Sequence, residues 1–253
     1  MFRLDNKIAV VTGGGSGIGK AVAKILAKQG AVVHILDITI THFENTIAEI
    51  NGEGGKVFGH ACDVSDQALV RTVFDKIGQL DILVNNAGIA HVGTAGNTSE
   101  LDFDRVYKVN VKGVYNCLQS AVSKMEKKGG VIINMSSIAA HVGLTDRFAY
   151  SMSKGAIHAM TLSVARDYLH AGIRCNSISP ARVHTPFVDG FISKNYPGKE
   201  EEIFKKLSAS QPIGRMGTVE EIASVILYLS SDEAAFITGC DYPVDGGFIH
   251  LNT

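Results

Sequence analysis

At 253 residues and a formal net charge of −1, the chain has the length of one large α/β domain and no electrostatic case for nucleic acid or an anionic membrane as a partner. Hydrophobic residues make up 45% and charged residues 19%, an ordinary globular mix, and no apolar run reaches the roughly 18 residues of a membrane span. Residues 1–7 are charged and lead straight into a strand-like run, so no signal peptide is expected. The four cysteines, Cys62, Cys117, Cys175 and Cys240, form no C-x-x-C pair, and the nine histidines lack metal-ligand spacing, which favours a reduced cytoplasmic chain without a metal.

In chain order, strands are read at 8–11, 32–36, 56–61, 82–84, 131–135, 174–178 and 236–244. Helices are read at 17–29, 41–51, 66–78, 102–126, 149–170 and 218–230. The strands do not alternate strictly between apolar and polar, as expected when both faces of a parallel sheet are covered. The β-α-β rhythm predicts one α/β, doubly wound Rossmann-type domain over 1–253, with a seven-stranded parallel sheet flanked by helices on both faces. No repeat or interdomain linker interrupts it. Residues 182–216 break the rhythm with Pro186, Pro197, Pro212 and a charged stretch at 199–206. So long an excursion reads as a lid or substrate loop, with room for one or two short helices.

The first strand runs into Thr12-Gly13-Gly14-Gly15-Ser16-Gly17-Ile18-Gly19. Glycine allows positive φ and close approach of a phosphate. The following helix N-terminus offers free N–H groups and a partial positive charge. Gly13, Ser16, Gly17, Ile18 and Gly19 are therefore candidate cofactor residues, although a glycine-rich stretch can also be only a tight turn. Asp37 ends the second strand, 18 residues after Gly19. A carboxylate there accepts from both adenosine ribose hydroxyls and repels a 2′-phosphate, which favours NAD over NADP; its other use is to cap the next helix.

Tyr150 and Lys154 lie four apart in an expected helix and project from one face. A nearby ammonium and a positive nicotinamide both favour phenolate, so a lowered tyrosine pKa is expected. Ser136-Ser137 ends the preceding strand, at the sheet end where open α/β folds bind ligands.

With these residues in place the sequence resembles the short-chain dehydrogenase/reductase family over nearly its whole length. The resemblance rests on Thr12–Gly19, Asp63-Val64, Asn85-Asn86-Ala87-Gly88, Asn110, Ser137, Tyr150, Lys154, residues 176–186 and Asp245-Gly246-Gly247, in order and with the family's spacing. It implies that Tyr150 exchanges a proton with the substrate oxygen, Ser137 hydrogen-bonds that oxygen, Lys154 lowers the tyrosine pKa and holds the nicotinamide ribose, and Asn110 positions a relay water. It also implies Asp63 and Val64 at the adenine, Asn86 near the adenosine ribose, Val183 and Thr185 at the nicotinamide amide, and a homotetramer built on 102–126 and 149–170. Asn110 and Asn86 also fit a role as buried caps of backbone. Pro180-Ala181 departs from the family's usual Pro-Gly.

A narrower similarity, at His91, Gly93, Thr94, Gly143, Arg147, Gln211-Pro212 and Gly214-Arg215, is to the branch with cytosolic 3-hydroxybutyrate and 2-keto-3-deoxy-L-fuconate dehydrogenases. It implies a carboxylate substrate. Arg147, one turn before Tyr150, suits bidentate carboxylate recognition, with Arg182, Gln211 and His91 as further polar contacts. Against this, Arg147 can cap a loop or pair with Asp146, while Arg215 is expected to pair with Glu220 or Glu221. The polar excursion, with Lys194, Asn195 and Tyr196, favours a sugar acid over hydroxybutyrate. Two rivals stand: an NADPH-linked ketoreductase of carrier-bound acyl chains, which would want a basic residue in the glycine turn, and a non-catalytic nucleotide sensor on the same fold, which would not need Asn110, Ser137, Tyr150 and Lys154 together.

Overall fold

Each strand is short because both of its faces are taken up by helices. The computed structural model describes residues 1–251, apart from the side chains of Phe187 and Asn195. In chain order it runs β1 (Ile8–Thr12), α1 (Gly17–Lys28), β2 (Val32–Asp37), α2 (Glu44–Gly52), β3 (Lys56–Ala61), α3 (Gln67–Ile77) and β4 (Ile82–Asn85). There follow α4 (Glu100–Val106), α5 (Gly113–Met125), β5 (Gly130–Met135), α6 (Phe148–Asp167), β6 (Ile173–Pro180), α7 (Pro186–Asn195), α8 (Glu200–Ala209), α9 (Val219–Ser230), β7 (Asp241–Val244) and α10 (Phe248–Leu251). All seven strands pair in parallel in the order β3-β2-β1-β4-β5-β6-β7. The direction of winding reverses between β1 and β4, and the crevice outside the carboxyl ends of the strands at that point is where such sheets take ligands.

Two apolar cores sandwich the sheet. Val11, Ile35 and Ile133 join α1 and α9 residues such as Val22, Leu26 and Ile226 on one face. Val10, Leu83 and Ile132 join Phe74, Leu118 and Ile157 from α3, α5 and α6 on the other. Neighbours Val10 and Val11 thus feed opposite cores, which is why the strands read as continuous apolar runs. Among the described residues no helix is long and apolar enough to cross a membrane.

Three stretches differ from the sequence reading. The expected 236–244 strand is only Asp241–Val244, because Gly239 turns in the left-handed region at φ +69° and donates to the Cys175 carbonyl. The expected 102–126 helix starts at Glu100, capped by Ser99, and contains a π-helical turn at Tyr107–Lys112 between α4 and α5. The expected 41–51 helix begins at Glu44, behind a single 3-10 turn at Ile40–His42. The 182–216 excursion holds two helices, α7 and α8, the first capped by Thr185 with Pro186 at its first position.

Candidate active site

The carboxyl end of β1 builds the phosphate turn. Gly13 (φ +64°) and Gly17 (φ +52°) take the left-handed conformation. A side chain on Gly19 would collide with the Gly13 carbonyl and the Asn86 amide, so only glycine lets α1 start this close to the turn. Asn86 Nδ2 donates to the carbonyls of Thr12 (3.0 Å) and Gly13 (3.1 Å), and Thr12 Oγ1 accepts from the N–H groups of Asn86 and Ala87, both at 3.0 Å. Asn86 is therefore first a lock on the turn. Ser16 caps α1 through its extended backbone without a side-chain hydrogen bond, and the helix opens its first-turn amides, Gly17 to Gly19, toward an anion. Ile18 packs on the core. Thr185, at the start of α7, approaches Gly17, where an added Cβ would lie 3.6 Å from its methyl. Val183 is buried and bridges to Gly217. Ala181 takes an ordinary backbone conformation, so the missing glycine costs no left-handed strain.

Asp37 ends β2 beside the glycine turn. Its carboxylate accepts from the Gly15 N–H (3.1 Å), the Ile38 N–H (2.8 Å) and the His42 ring (3.0 Å). His42 was not apparent from the sequence; its backbone is pressed against Gly15, leaving no room for a side chain there. Asp63 turns inward to accept from the Ser65 N–H at 2.8 Å, while Val64 is buried against Gly113. This cradle of glycines, free helix amides and a carboxylate at the end of β2 fits a nicotinamide dinucleotide.

Tyr150, Lys154 and Ser137 converge at the carboxyl end of β5. Lys154 is buried and donates to the Met135 carbonyl at 2.7 Å, with its ammonium 5.6 Å from the centre of the Tyr150 ring. Burial draws Lys154 down to about 8. Burial raises the Tyr150 phenol above its ordinary value, opposed by the hydrogen bond from Ser137 and the positive charge of Arg147; the expected lowering counts a positive nicotinamide as well as Lys154. Asn110 is fully buried in the π turn. Its Oδ1 accepts from the Ile89 N–H (2.8 Å), and its Nδ2 donates to the Ile89 carbonyl (2.9 Å) and Ser153 Oγ (3.0 Å). Only the second lone pair of Oδ1 remains for a water. A Cβ on Gly88 would come within 3.3 Å of that oxygen and 3.8 Å of Lys154 Nζ, so Gly88 keeps the space between them open. Ser153, which donates to the Tyr150 carbonyl at 2.7 Å, is a link missed in the sequence, where a serine three residues after Tyr150 was its only signal.

On the substrate side, the 93 and 147 loops are pinned together: Phe148 N–H donates to Gly93 O and Gly93 N–H to Asp146 O. Arg147 donates to the His91 carbonyl at 3.2 Å. His91 itself is half-buried, with its buried Nδ1 unpartnered and Nε2 3.7 Å from the Asp102 carboxylate. Arg182 Nε donates to Ser210 Oγ at 3.2 Å, and Gln211, buried, accepts from the Arg182 N–H at 3.4 Å. Desolvation and then the like charge of Arg147 hold Arg182 below the ordinary guanidinium value. Neither arginine has a carboxylate partner among the described residues, Asp146 included, whereas Arg215 pairs with both oxygens of Glu221 at 2.6 and 2.9 Å, as expected.

Residues 13–249 match the family described as enoyl-(acyl carrier protein) reductase. An uncharacterized oxidoreductase of Thermotoga maritima is 41% identical, over 97% of this chain and 98% of its own. Dehydrogenase/reductase SDR family member 6 of Xenopus laevis is 38% identical, over 98% of this chain and 99% of its own. The structure of L-sorbose reductase from Gluconobacter frateurii, complexed with NADPH and L-sorbose, superposes with a TM-score of 0.94 at 27% identity, covering 99% of both chains. Fold and site together define an oxidoreductase that acts on alcohols or ketones with a nicotinamide cofactor. The chain belongs to the short-chain dehydrogenase/reductase family.

Proposed function

We propose that the chain is an NAD-dependent dehydrogenase of a small carboxylate-bearing secondary alcohol or ketone, with a 2-keto-3-deoxy sugar acid as the leading substrate. The observation that carries the carboxylate is the pair of guanidinium groups, Arg147 and Arg182. They repel each other across the approach to Tyr150, and neither is neutralised by a protein acid among the described residues. Two guanidinium groups without a carboxylate partner, one half-buried and one exposed, are a recognition element for an anion. The polar wall of Ser210, Gln211 and Arg182 supports a hydroxylated acid over hydroxybutyrate.

When bound, the nicotinamide supplies or accepts the hydride. Tyr150 passes its hydroxyl proton to or from the substrate oxygen, and Ser137, already hydrogen-bonded to the phenol, donates to that oxygen as charge develops on it. Lys154, which donates to Met135, has further N–H donors that would hold the nicotinamide ribose, and its ammonium adds positive charge beside the phenol. Asn110 Oδ1 holds the water that leads the proton out. Asp37 supports NAD, since its carboxylate occupies the position where a 2′-phosphate would be repelled.

A second reading has one observation in its favour: Arg147 donates to the His91 carbonyl, as a purely structural arginine would, and the L-sorbose reductase handles a neutral sugar. Steady-state rates on paired acids and neutral analogues separate the two. Arg147→Ala is expected to lower efficiency toward the acid by about ten- to a hundredfold, matching about 1.5–3 kcal/mol for a hydrogen bond to a charged group, and to spare the corresponding ester. Equal losses on both would make Arg147 structural; an unmutated enzyme that prefers neutral sugars would remove the carboxylate from the proposal.

A further inference from the structure

His141, His158 and Asp241 come from three separate elements and meet on the α6 side of β6 and β7. His141 follows the 3-10 turn Ile138–Ala140 after β5, His158 lies one helical turn beyond Lys154 in α6, and Asp241 is the first residue of β7. One ligand atom from each lies within 4.8 Å of the other two. His141 Nε2 is 2.9 Å from Asp241 Oδ2, and His158 Nδ1 is 3.9 Å from Asp241 Oδ1. The two imidazoles stand edge to face at 5.2 Å. The Asp241 side chain is only 8% exposed, and Ser177 Oγ (2.5 Å) and Ser179 Oγ (2.9 Å) both donate to its Oδ1.

The His141–Asp241 ion pair accounts for only part of the cluster. Asp241 Oδ2 and His158 Nδ1 are both buried, and neither has an aligned hydrogen-bond partner. His141 Nε2 is close to Oδ2 but is aligned with Ser179 Oγ, at 3.1 Å. A carboxylate lone pair and an imidazole nitrogen held close together, each without an aligned partner, would be satisfied by a cation between them. Leaving buried polar atoms unpaired is costly.

We propose that His141, His158 and Asp241 bind one divalent transition-metal ion of the Zn²⁺ class. Two imidazole nitrogens and one carboxylate oxygen suit Zn²⁺, Co²⁺ or Ni²⁺ better than Mg²⁺ or Ca²⁺, which prefer all-oxygen shells. Tetrahedral metal–ligand bonds of about 2.0–2.2 Å place ligand atoms roughly 3.3–3.6 Å apart, so the 2.9 Å His141–Asp241 contact opens slightly and the wider separations close by about 1 Å, within reach of side-chain rotation. Ser177 and Ser179 act as the outer shell that aims Asp241. His158 is eight residues from Tyr150 along α6, about 12 Å at 1.5 Å per residue, so the ion is a clamp between α6, the loop after Ser137 and β7, apart from the reacting atoms.

The test uses the full chain, stripped with chelator and dialysed, then titrated with Co²⁺ while visible ligand-field absorption is read, and with Zn²⁺ by calorimetry. One ion per chain is expected. His141→Ala, at an exposed loop position, should weaken binding more than a hundredfold, above the roughly 10–100-fold range of an outer-shell partner, and Ser177→Ala should fall within that range. Cys240→Ser and the double variant His34→Ala/His60→Ala should bind as the unmutated chain does. Should His158→Ala fail to fold, as judged by circular dichroism, His141→Ala and Ser177→Ala still decide the matter. Absence of absorption bands and heat at millimolar metal, or equal binding by the unmutated chain and His141→Ala, would overturn the site.

Discussion

Lys154 has one hydrogen-bond partner, the Met135 carbonyl, and its burial takes its pKa from an ordinary 10.5 to about 8. Between those values the unfolded chain holds a proton that the folded chain has released, so this group makes stability rise with pH across the window. Below pH 8 both states are protonated and the cost of burying the ammonium is fully felt. Compared with Lys154→Met, the cofactor-free protein should gain stability from pH 8 to 10.5 by up to about 3 kcal/mol, taking about 1.36 kcal/mol per pKa unit. Urea midpoints over that range check this, and parallel pH curves for the two proteins would refute it. Tyr150→Phe removes only the oxygen that moves the proton, so turnover should fall to less than a few per cent while dinucleotide binding stays close to normal. For the unmutated protein, NAD should outperform NADP by at least about tenfold, or about 1.4 kcal/mol. Asp37→Ala should narrow that gap by removing the repelling charge and releasing the Gly15 amide and the His42 ring. Equal efficiency with both cofactors before mutation would reverse the assignment.

The elements show what a sequence can and cannot disclose. The phosphate turn was legible because Gly13, Gly17 and Gly19 are conformational requirements written locally; Gly19→Ala, whose methyl would strike the Gly13 carbonyl, should abolish dinucleotide binding measured by calorimetry. Tyr150 and Lys154 were legible because helical spacing puts both on one face. The π turn at Tyr107–Lys112 was not, since Tyr-Lys-Val-Asn-Val-Lys carries no pattern that separates a wider turn from an α-helical one. That turn matters, because Asn110 sits inside it and reaches Ile89 and Ser153 at once. The strand read at 236–244 followed its apolar run and overlooked Gly239, whose positive φ delays β7 until Asp241. Burial, which raises the Tyr150 phenol, is a desolvation that the sequence does not show, whereas the lowering expected there counts Lys154 and a positive nicotinamide together. His141, His158 and Asp241 lie on three elements with no common spacing, so a search for metal motifs along the chain passes over them.

At the scale of the whole molecule, the exposed apolar side chains include a group on α4–α6 and a lone ring before β7. Leu101 on α4, Tyr107 in the π turn, Tyr115 on α5, and Phe148 and Leu162 on α6 are all exposed, and the rings of Phe103 and Phe148 join α4 to α6 at 6.3 Å. Phe236, fully exposed, stands just before β7, at the other end of the chain and on the edge-strand side of the sheet. Exposed apolar groups of this size are a mark of protein contact surfaces. One self-complementary patch gives a dimer; two separate ones, each used about its own two-fold axis, close a tetramer. The chain is therefore expected to form a homotetramer, with the α4–α6 surface as one contact, as the lengths 102–126 and 149–170 suggested, and the surface around Phe236 as the other. Light scattering at micromolar concentration should give the mass of four chains. Tyr115→Asp and Phe236→Asp should each reduce it to two chains, because each places a charge in only one of the contacts, and the double variant should give monomers that keep their circular dichroism. A monomeric mass for the unmutated chain would exclude the assembly, and a tetramer that survives Phe236→Asp would move the second contact elsewhere.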